Sequence, residues 1–184
     1  HSFVSESQVP KPLNQYGKSK AKGETLVAKS CPKSLIIRTN FFGWGPIYRQ
    51  SFSDFIIYNL RKENKINLFH DIYFSPILIE NLVLHIYELI ERKLYGIFNI
   101  VSDERLSKYE FGIKIAVKFN LDVSLIEMGS IKDINNLVTR PKDMSLSNKK
   151  LSKVLNRPIG SIDDQIDLLF EQEKYFLRNP ITVL

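Results

Sequence analysis

The sequence predicts an α/β fold in which this chain supplies the last part of a parallel sheet. Two runs, SLIIRTNFF (34–42) and IFNIV (97–101), are apolar without alternation, which is typical of strands buried on both faces. Helical patterns follow both runs, as in proteins that alternate strands with helices. A complete parallel sheet needs more such strands, and residues 1–12 are loop-like. We therefore expect a fragment of a larger sheet domain.

The first helix is predicted at 14–30, where small and apolar residues recur among polar ones and Pro32 marks the end. After the first buried run, Ser53 or Ser51 can cap a second helix. Its apolar residues recur at helical spacing and predict an end near Asn64. A helix thus stands on each side of the first predicted strand.

The middle of the chain predicts two short strands and two more helices. The segment 65–77 offers two strand-like pieces around a central His-Asp pair, and 78–93 carries Leu and Ile on one helical face. Ser107 with Glu110 three residues later has the spacing of a capping box, which predicts a helix that continues to about Phe119.

The last third of the chain completes the pattern. VSLIEM (123–128) is predicted as a strand, and the proline-interrupted segment 139–147 as a loop. A short helix at 148–156 and a longer one at 162–178 follow, the latter with a regular apolar face.

Composition and charge narrow the class of protein. The 184 residues are 43% hydrophobic and 25% charged, as in an ordinary globular domain. Cys31 is the single cysteine and no Cys/His cluster has zinc-ligand spacing, so we expect a reducing, cytoplasmic setting and no structural metal. No apolar run reaches the length of a membrane span. The net charge of +6 is scattered, which argues against nucleic acid and suits a small anionic ligand such as a diphosphate.

One pair of residues carries a recognisable chemistry. Tyr16 and Lys20 stand four apart, so within a helix both side chains lie on one face. A phenol is a poor acid or base at neutral pH, and a nearby ammonium favours its ionised form. The pair therefore predicts Tyr16 as a proton donor or acceptor, with Lys20 as its partner. By itself, however, a Tyr and a Lys at this spacing occur often by chance, so the pair alone is a weak indication of catalysis.

The context of the pair resembles a known family. PLNQYGKSKAKGE (12–24) followed by SLIIRTNFFGWGP (34–46) is similar to the active-site helix and following strand of extended short-chain dehydrogenases/reductases. Among these, the sugar-nucleotide reductases of the dTDP-4-dehydrorhamnose reductase type are the most similar. Further segments match in order, namely FSPILIENLV, GIFNIVSDERLSKYEFG and RPKDMSLSNKKL. The resemblance covers nearly the whole chain.

The resemblance implies a fold and a division of the chain. It implies the C-terminal part of a Rossmann-type, NAD(P)-binding fold whose N-terminal βαβ units are missing. Residues 1–45 would supply the active-site helix and the following sheet strand. Residues 46–184 would be mainly a small substrate-binding lobe, with one late sheet strand near 96–101.

The resemblance also implies a reaction and its site. A hydride from NADPH or NADH would add to the keto carbon of a nucleotide-linked sugar while Tyr16 protonates the oxygen. Lys20 would hold the nicotinamide ribose, so both residues would be catalytic and cofactor-binding. By analogy, Thr39 and Asn40 would lie near the cofactor and Phe41 near the sugar.

Arg140 is a candidate for the diphosphate of the substrate. Its planar guanidinium can bind two phosphate oxygens at once. An equally open alternative is a structural ion pair with an acidic neighbour.

Three departures from the family pattern limit these expectations. No glycine-rich phosphate loop is present, and the Ser or Thr that completes the catalytic site would precede residue 1. Phe41, Phe42 and Gly43 stand where rhamnose-pathway reductases commonly have Trp-Val-Tyr. We expect the chain alone to be inactive.

Two other functions stay open at this stage, as does a homodimer. The first is a sugar-nucleotide epimerase or dehydratase, which shares the Tyr-x-x-x-Lys pattern. The second is a non-catalytic regulatory subunit that keeps the fold for binding. Among the remaining residues, packing is favoured for Trp44, and a partly buried or surface position for His85.

Overall fold

The structure is a computed structural model that describes residues 2–46, 48–133 and 141–178, the last four of them by backbone alone. Helices and strands alternate through most of this range. The helices are α1 (Gln15–Ser30), α2 (Phe52–Arg61), α3 (Ile79–Glu91), α4 (Lys108–Lys118), α5 (Lys149–Leu155) and α6 (Ile162–Arg178). The strands are β1 (Leu35–Arg38), β2 (Phe41–Phe42), β3 (Ile66–Phe69), β4 (Tyr73–Phe74), β5 (Ile77–Leu78), β6 (Gly96–Asn99), β7 (Leu106–Ser107), β8 (Ile126–Gly129) and β9 (Asp143–Met144).

Most of the strand pairs are parallel. β1 pairs with β6 in parallel from Leu35 opposite Gly96 to Arg38 opposite Asn99, and β2 pairs with β5 in the same sense. β3 pairs with β8 in parallel, while β4 lies between antiparallel β7 and parallel β9. The predicted α/β class with parallel pairing is confirmed.

The predicted helices are confirmed at nearly their expected bounds, and two of them begin with a capping box. In α4 the Ser107 hydroxyl accepts from the N–H of Glu110, and the Glu110 carboxylate accepts from the N–H of Ser107. In α2 it is Ser51, with Asp54, that forms this reciprocal cap. Each cap satisfies two backbone donors that a helix start leaves without partners.

Several strand predictions need correction. The run 34–42 forms two strands instead of one, and β1 is half-buried rather than buried on both faces, because β6 is its only partner among the described strands. The segment 123–128 begins as a 3₁₀ turn, so its strand starts at Ile126. Within the predicted loop 139–147, Asp143 and Met144 add a short strand beside β4. The second helix ends at Arg61, slightly before the expected Asn64.

Two apolar cores hold the described elements together. The larger one is built by α2, β3, α4, β8 and α6, and at its centre Phe111 meets Phe42 edge-on at 5.1 Å. The second lies between the β1–β6 pair and helices α3 and α5. Helices α2 to α6 each bury one face in one of these cores, as the helical spacing of their apolar residues predicts. The domain boundary at 45/46 stays a prediction.

Helix α1 is held differently, because none of its residues is buried. Its Glu24 carboxylate accepts two hydrogen bonds from Arg38 on β1, at 2.8 Å from Nε and 2.6 Å from Nη2. At its other end, Asn14 caps the helix by accepting from the N–H of Gly17, at 2.8 Å. Among the helices of the described ranges, none is long and apolar enough to cross a membrane.

Candidate active site

Tyr16 and Lys20 lie on one face of α1, as their spacing predicts. Tyr16 is in the first turn of the helix and is 72% exposed. The Lys20 Nζ lies 5.6 Å from the centre of the Tyr16 ring. An ammonium at that distance is close enough for an electrostatic interaction with the ring. The structure therefore brings the two predicted catalytic side chains together on an accessible surface; their roles stay predictions.

Tyr16 forms part of the wall of a large cleft. The cleft has a volume of about 960 Å³ and lies between the loop that leads into α1 and the lobe built on α2, β3 and α4. Most of its lining is apolar or aromatic, and a few polar groups interrupt it. Its lining includes Tyr16, Phe52 and Lys108. A cavity of this size and character is typical of a small-molecule site.

The predicted cofactor residues Thr39 and Asn40 lie just after β1 and outside the lining of this cleft. The Thr39 hydroxyl donates to the carbonyl of Ile100 at 2.7 Å, and the Asn40 amide donates to the carbonyl of Met144 at 3.0 Å. Both side chains therefore tie the end of β1 to neighbouring segments. Whether they also contact a cofactor stays a prediction.

The two predicted substrate residues have separate positions. Phe41 begins β2 and is 63% exposed, but it does not line the cleft. Arg140 lies outside the described residues. Their roles with the sugar and with the diphosphate remain predictions.

Lys108 lines the cleft and was not among the residues predicted for the site. It is the first residue of α4, and its Nζ lies 3.3 Å from the centre of the Phe74 ring and 4.3 Å from that of Phe52. Burial lowers the pKa of Lys108 to about 7, because the charged form loses its hydration. One feature of the sequence could have drawn attention to Lys108. It follows the predicted cap Ser107 directly, and a cation is unfavourable in the first turn of a helix.

Trp44 is a packing residue, as favoured from the sequence. Its Nε1 donates to the carbonyl of Leu169 at 3.0 Å, and its ring meets Phe119 edge-on at 6.0 Å. His85, in contrast, is more buried than expected, with 6% of its surface exposed. Its Nδ1 lies 3.4 Å from the Glu88 carboxylate, because the helical turn of α3 places the two side chains side by side.

The parallel strand pairs and the helices that flank them define the class of this protein as an α/β fold. The fold is similar to the crystal structure of a dTDP-4-dehydrorhamnose reductase from Bacillus anthracis in complex with NADP. The TM-score is 0.84 at 24% identity, and the match covers 92% of this chain and 59% of that one. The expected Rossmann-type fold is thereby confirmed.

The chain belongs to the family described as the RmlD substrate binding domain, which matches residues 2–174. A probable low-salt glycan biosynthesis reductase, Agl14 of Haloferax volcanii, is 26% identical over 91% of this chain and 57% of its own length. A dTDP-4-dehydrorhamnose reductase of Aggregatibacter actinomycetemcomitans is 29% identical over 80% of this chain and 53% of its own. The chain thus spans about half the length of these relatives.

A relative with a different kind of name also matches. The methionine adenosyltransferase 2 subunit beta of Xenopus laevis is 28% identical over 81% of this chain and 46% of its own length. The relatives of this chain therefore include a protein that is named as a subunit of methionine adenosyltransferase 2.

Proposed function

We propose that this chain supplies the active-site helix and the substrate lobe of an NAD(P)-dependent reductase that acts on a nucleotide-linked 4-keto sugar. The observation that carries the proposal is the position of Tyr16, which lies on the wall of a large cleft with Lys20 beside it on the same helix face. Family membership and the names of two relatives support the same reaction class.

The side chains present fit one end of a nicotinamide cofactor. In the described residues, Lys20 forms no ion pair, so its ammonium is available to the ribose hydroxyls beside Tyr16. The sequence contains no glycine-rich loop, so the pyrophosphate end needs residues from outside this chain. When bound, the reduced cofactor supplies a hydride to the sugar.

The residues of this chain would carry out the proton transfer of the reaction. As the C4 carbonyl carbon is reduced, its oxygen gains negative charge and takes the proton of the Tyr16 hydroxyl. The Lys20 ammonium stabilises the phenolate that Tyr16 becomes. The product is the 4-hydroxy sugar, and Tyr16 regains its proton from solvent, to which it is open.

The proposal is tested with the full-length protein that contains this chain. NADPH or NADH is mixed with a dTDP-4-keto-6-deoxy sugar, the loss of cofactor absorbance is followed, and the product is identified by NMR. One cofactor oxidised for each 4-hydroxy sugar formed supports the proposal. An epimerised product without net oxidation of the cofactor would instead place the protein with the epimerases. Loss of water from dTDP-glucose, which still carries its C4 and C6 hydroxyls, would place it with the dehydratases.

A second candidate function is a non-catalytic subunit, and the relative named as a subunit beta favours it. The same assay separates the two functions. Cofactor that binds without any turnover of keto sugars would support the subunit and refute the reductase.

A further inference from the structure

The position of Lys108 is unfavourable for an ammonium group unless something else binds there. The residue opens α4, where the helix dipole is positive, and its side chain lies against two aromatic rings in the wall of the cleft. The faces of these rings attract a cation, but they replace only part of the hydration that burial removes.

Two carboxylates on the same helix turn and on a neighbouring strand already have partners. Glu110, in the same first turn of α4, accepts from the N–H of Ser107 at 2.6 Å. Asp143, on the strand beside β4, accepts from the Arg105 side chain at 2.9 Å. Within the described residues, no carboxylate forms an ion pair with Lys108.

Two other lysines of α4 form ion pairs with carboxylates of α6. Lys114 binds Asp163 on α6 at 2.7 Å, and Lys118 binds Asp167 at 2.6 Å. Both are on the side of α4 that faces α6. Lys108 lines the cleft instead. An anionic partner for its ammonium would therefore be a ligand bound in the cleft.

We propose that the Lys108 ammonium, held against the Phe52 and Phe74 rings, binds the diphosphate of the nucleotide-linked sugar in this cleft. The inference rests on the proposed function for the identity of the ligand. It assigns to Lys108 a specificity-determining role, since a sugar without the nucleotide would leave the ammonium without its partner.

An anion in the cleft would bind the Lys108 ammonium rather than the backbone N–H groups at the start of α4, because two of these already have acceptors. The N–H of Lys108 donates to the carbonyl of Ile72 at 2.9 Å, and that of Glu110 donates to the Ser107 hydroxyl at 3.1 Å. The side chain is a compact point charge that suits a diphosphate, which offers several oxygens in different directions. The aromatic and apolar walls around it suit a base and a sugar.

The test compares two ligands that differ only in the diphosphate. Binding of dTDP and of thymidine to the full-length protein is measured by titration calorimetry for wild type, Lys108→Met and Lys153→Met. Lys153 is exposed on α5 and does not line the cleft, so its variant controls for the change in net charge. We expect Lys108→Met to weaken dTDP by about tenfold or more and to leave thymidine unchanged. Lys153→Met should change neither.

Two results would overturn the inference. One is equal dTDP affinity in wild type and Lys108→Met; the other is an equal loss for dTDP and thymidine, which would mean that the residue only shapes the cleft. Lys108→Gln, which removes the charge but keeps a polar group, gives the same comparison if the Met variant does not fold. Unchanged dTDP affinity in a working reductase defeats this inference alone, whereas a diphosphate effect in a protein without turnover defeats the proposed function alone.

Discussion

Arg38 and Glu24 join β1 to α1 through two parallel hydrogen bonds of 2.8 and 2.6 Å. Both side chains are largely shielded from water, at 15% and 18% exposed. The hydrogen bonds to Glu24 raise the pKa of Arg38 above its ordinary value. Because α1 buries none of its own residues, this pair is a main anchor of the helix that carries Tyr16 and Lys20.

We predict that Glu24→Gln lowers the free energy of unfolding by about 2 kcal/mol, because it leaves a shielded guanidinium without its carboxylate. Urea unfolding measures the change. Glu171→Gln breaks the exposed pair between Glu171 and Lys174 and serves as the control, with an expected loss below about 0.5 kcal/mol. Equal effects of the two substitutions would show that the Arg38 pair does not anchor the helix.

The lowered pKa of Lys108 predicts a pH dependence of stability. The lysine titrates near 10.5 in the unfolded chain and at about 7 in the folded protein. Between these values the unfolded chain binds more protons, so the contribution of Lys108 to stability rises as the pH rises from about 7. We expect Lys108→Met to be more stable than wild type at pH 6, with a gap that narrows by pH 9.

Urea unfolding of both proteins at pH 6, 7, 8 and 9 measures this gap, and Lys153→Met is the matched control. A gap that stays constant over this range would contradict a depressed pKa for Lys108.

Substitution by alanine is expected to have opposite effects on stability at Gly43 and at Gly23. Gly43 has a φ of 147°, and an added Cβ would lie 2.7 Å from the Ile79 Cγ2. Gly23 lies within α1, where an added Cβ meets nothing within 4 Å. We expect Gly43→Ala to destabilise by about 1–3 kcal/mol and Gly23→Ala to stabilise by about 0.5–1 kcal/mol. Thermal unfolding of both variants decides the matter, and a stabilising Gly43→Ala would refute the close approach to Ile79.

Trp44 is expected to affect stability without affecting the substrate. Trp44→Phe removes the hydrogen bond to the carbonyl of Leu169 and leaves that acceptor without this donor, at a cost of about 1–2 kcal/mol. Since Trp44 does not line the cleft, KM for the keto sugar should not change. A raised KM with normal stability would instead make Trp44 a wall of the sugar site.

The helices were predictable because their signals are local. Helix α4 could be placed from Ser107 and Glu110, which are three residues apart and form its cap. The choice between Ser51 and Ser53 is also local in hindsight, since Asp54 stands where a capping box after Ser51 requires an acceptor.

The features that escaped prediction depend on contacts between distant segments. The run 34–42 is interrupted at Thr39 and Asn40, whose side chains donate to the carbonyls of Ile100 and Met144 on distant segments. Lys108 could not be assigned to the cleft from its own segment, because Phe52 and Phe74 come from other elements. Tyr16 and Lys20, in contrast, were found together because one helix carries both.

The proposed role of Tyr16 as the acid of a keto-sugar reductase can be tested with one substitution. Tyr16→Phe removes only the hydroxyl, and Tyr58→Phe does the same at an exposed position of α2 outside the cleft. The measurement is kcat/KM of the full-length protein for a dTDP-4-keto-6-deoxy sugar. We expect Tyr16→Phe to lower kcat/KM by about 100-fold or more and Tyr58→Phe to leave it unchanged. Wild-type turnover in Tyr16→Phe would contradict this role.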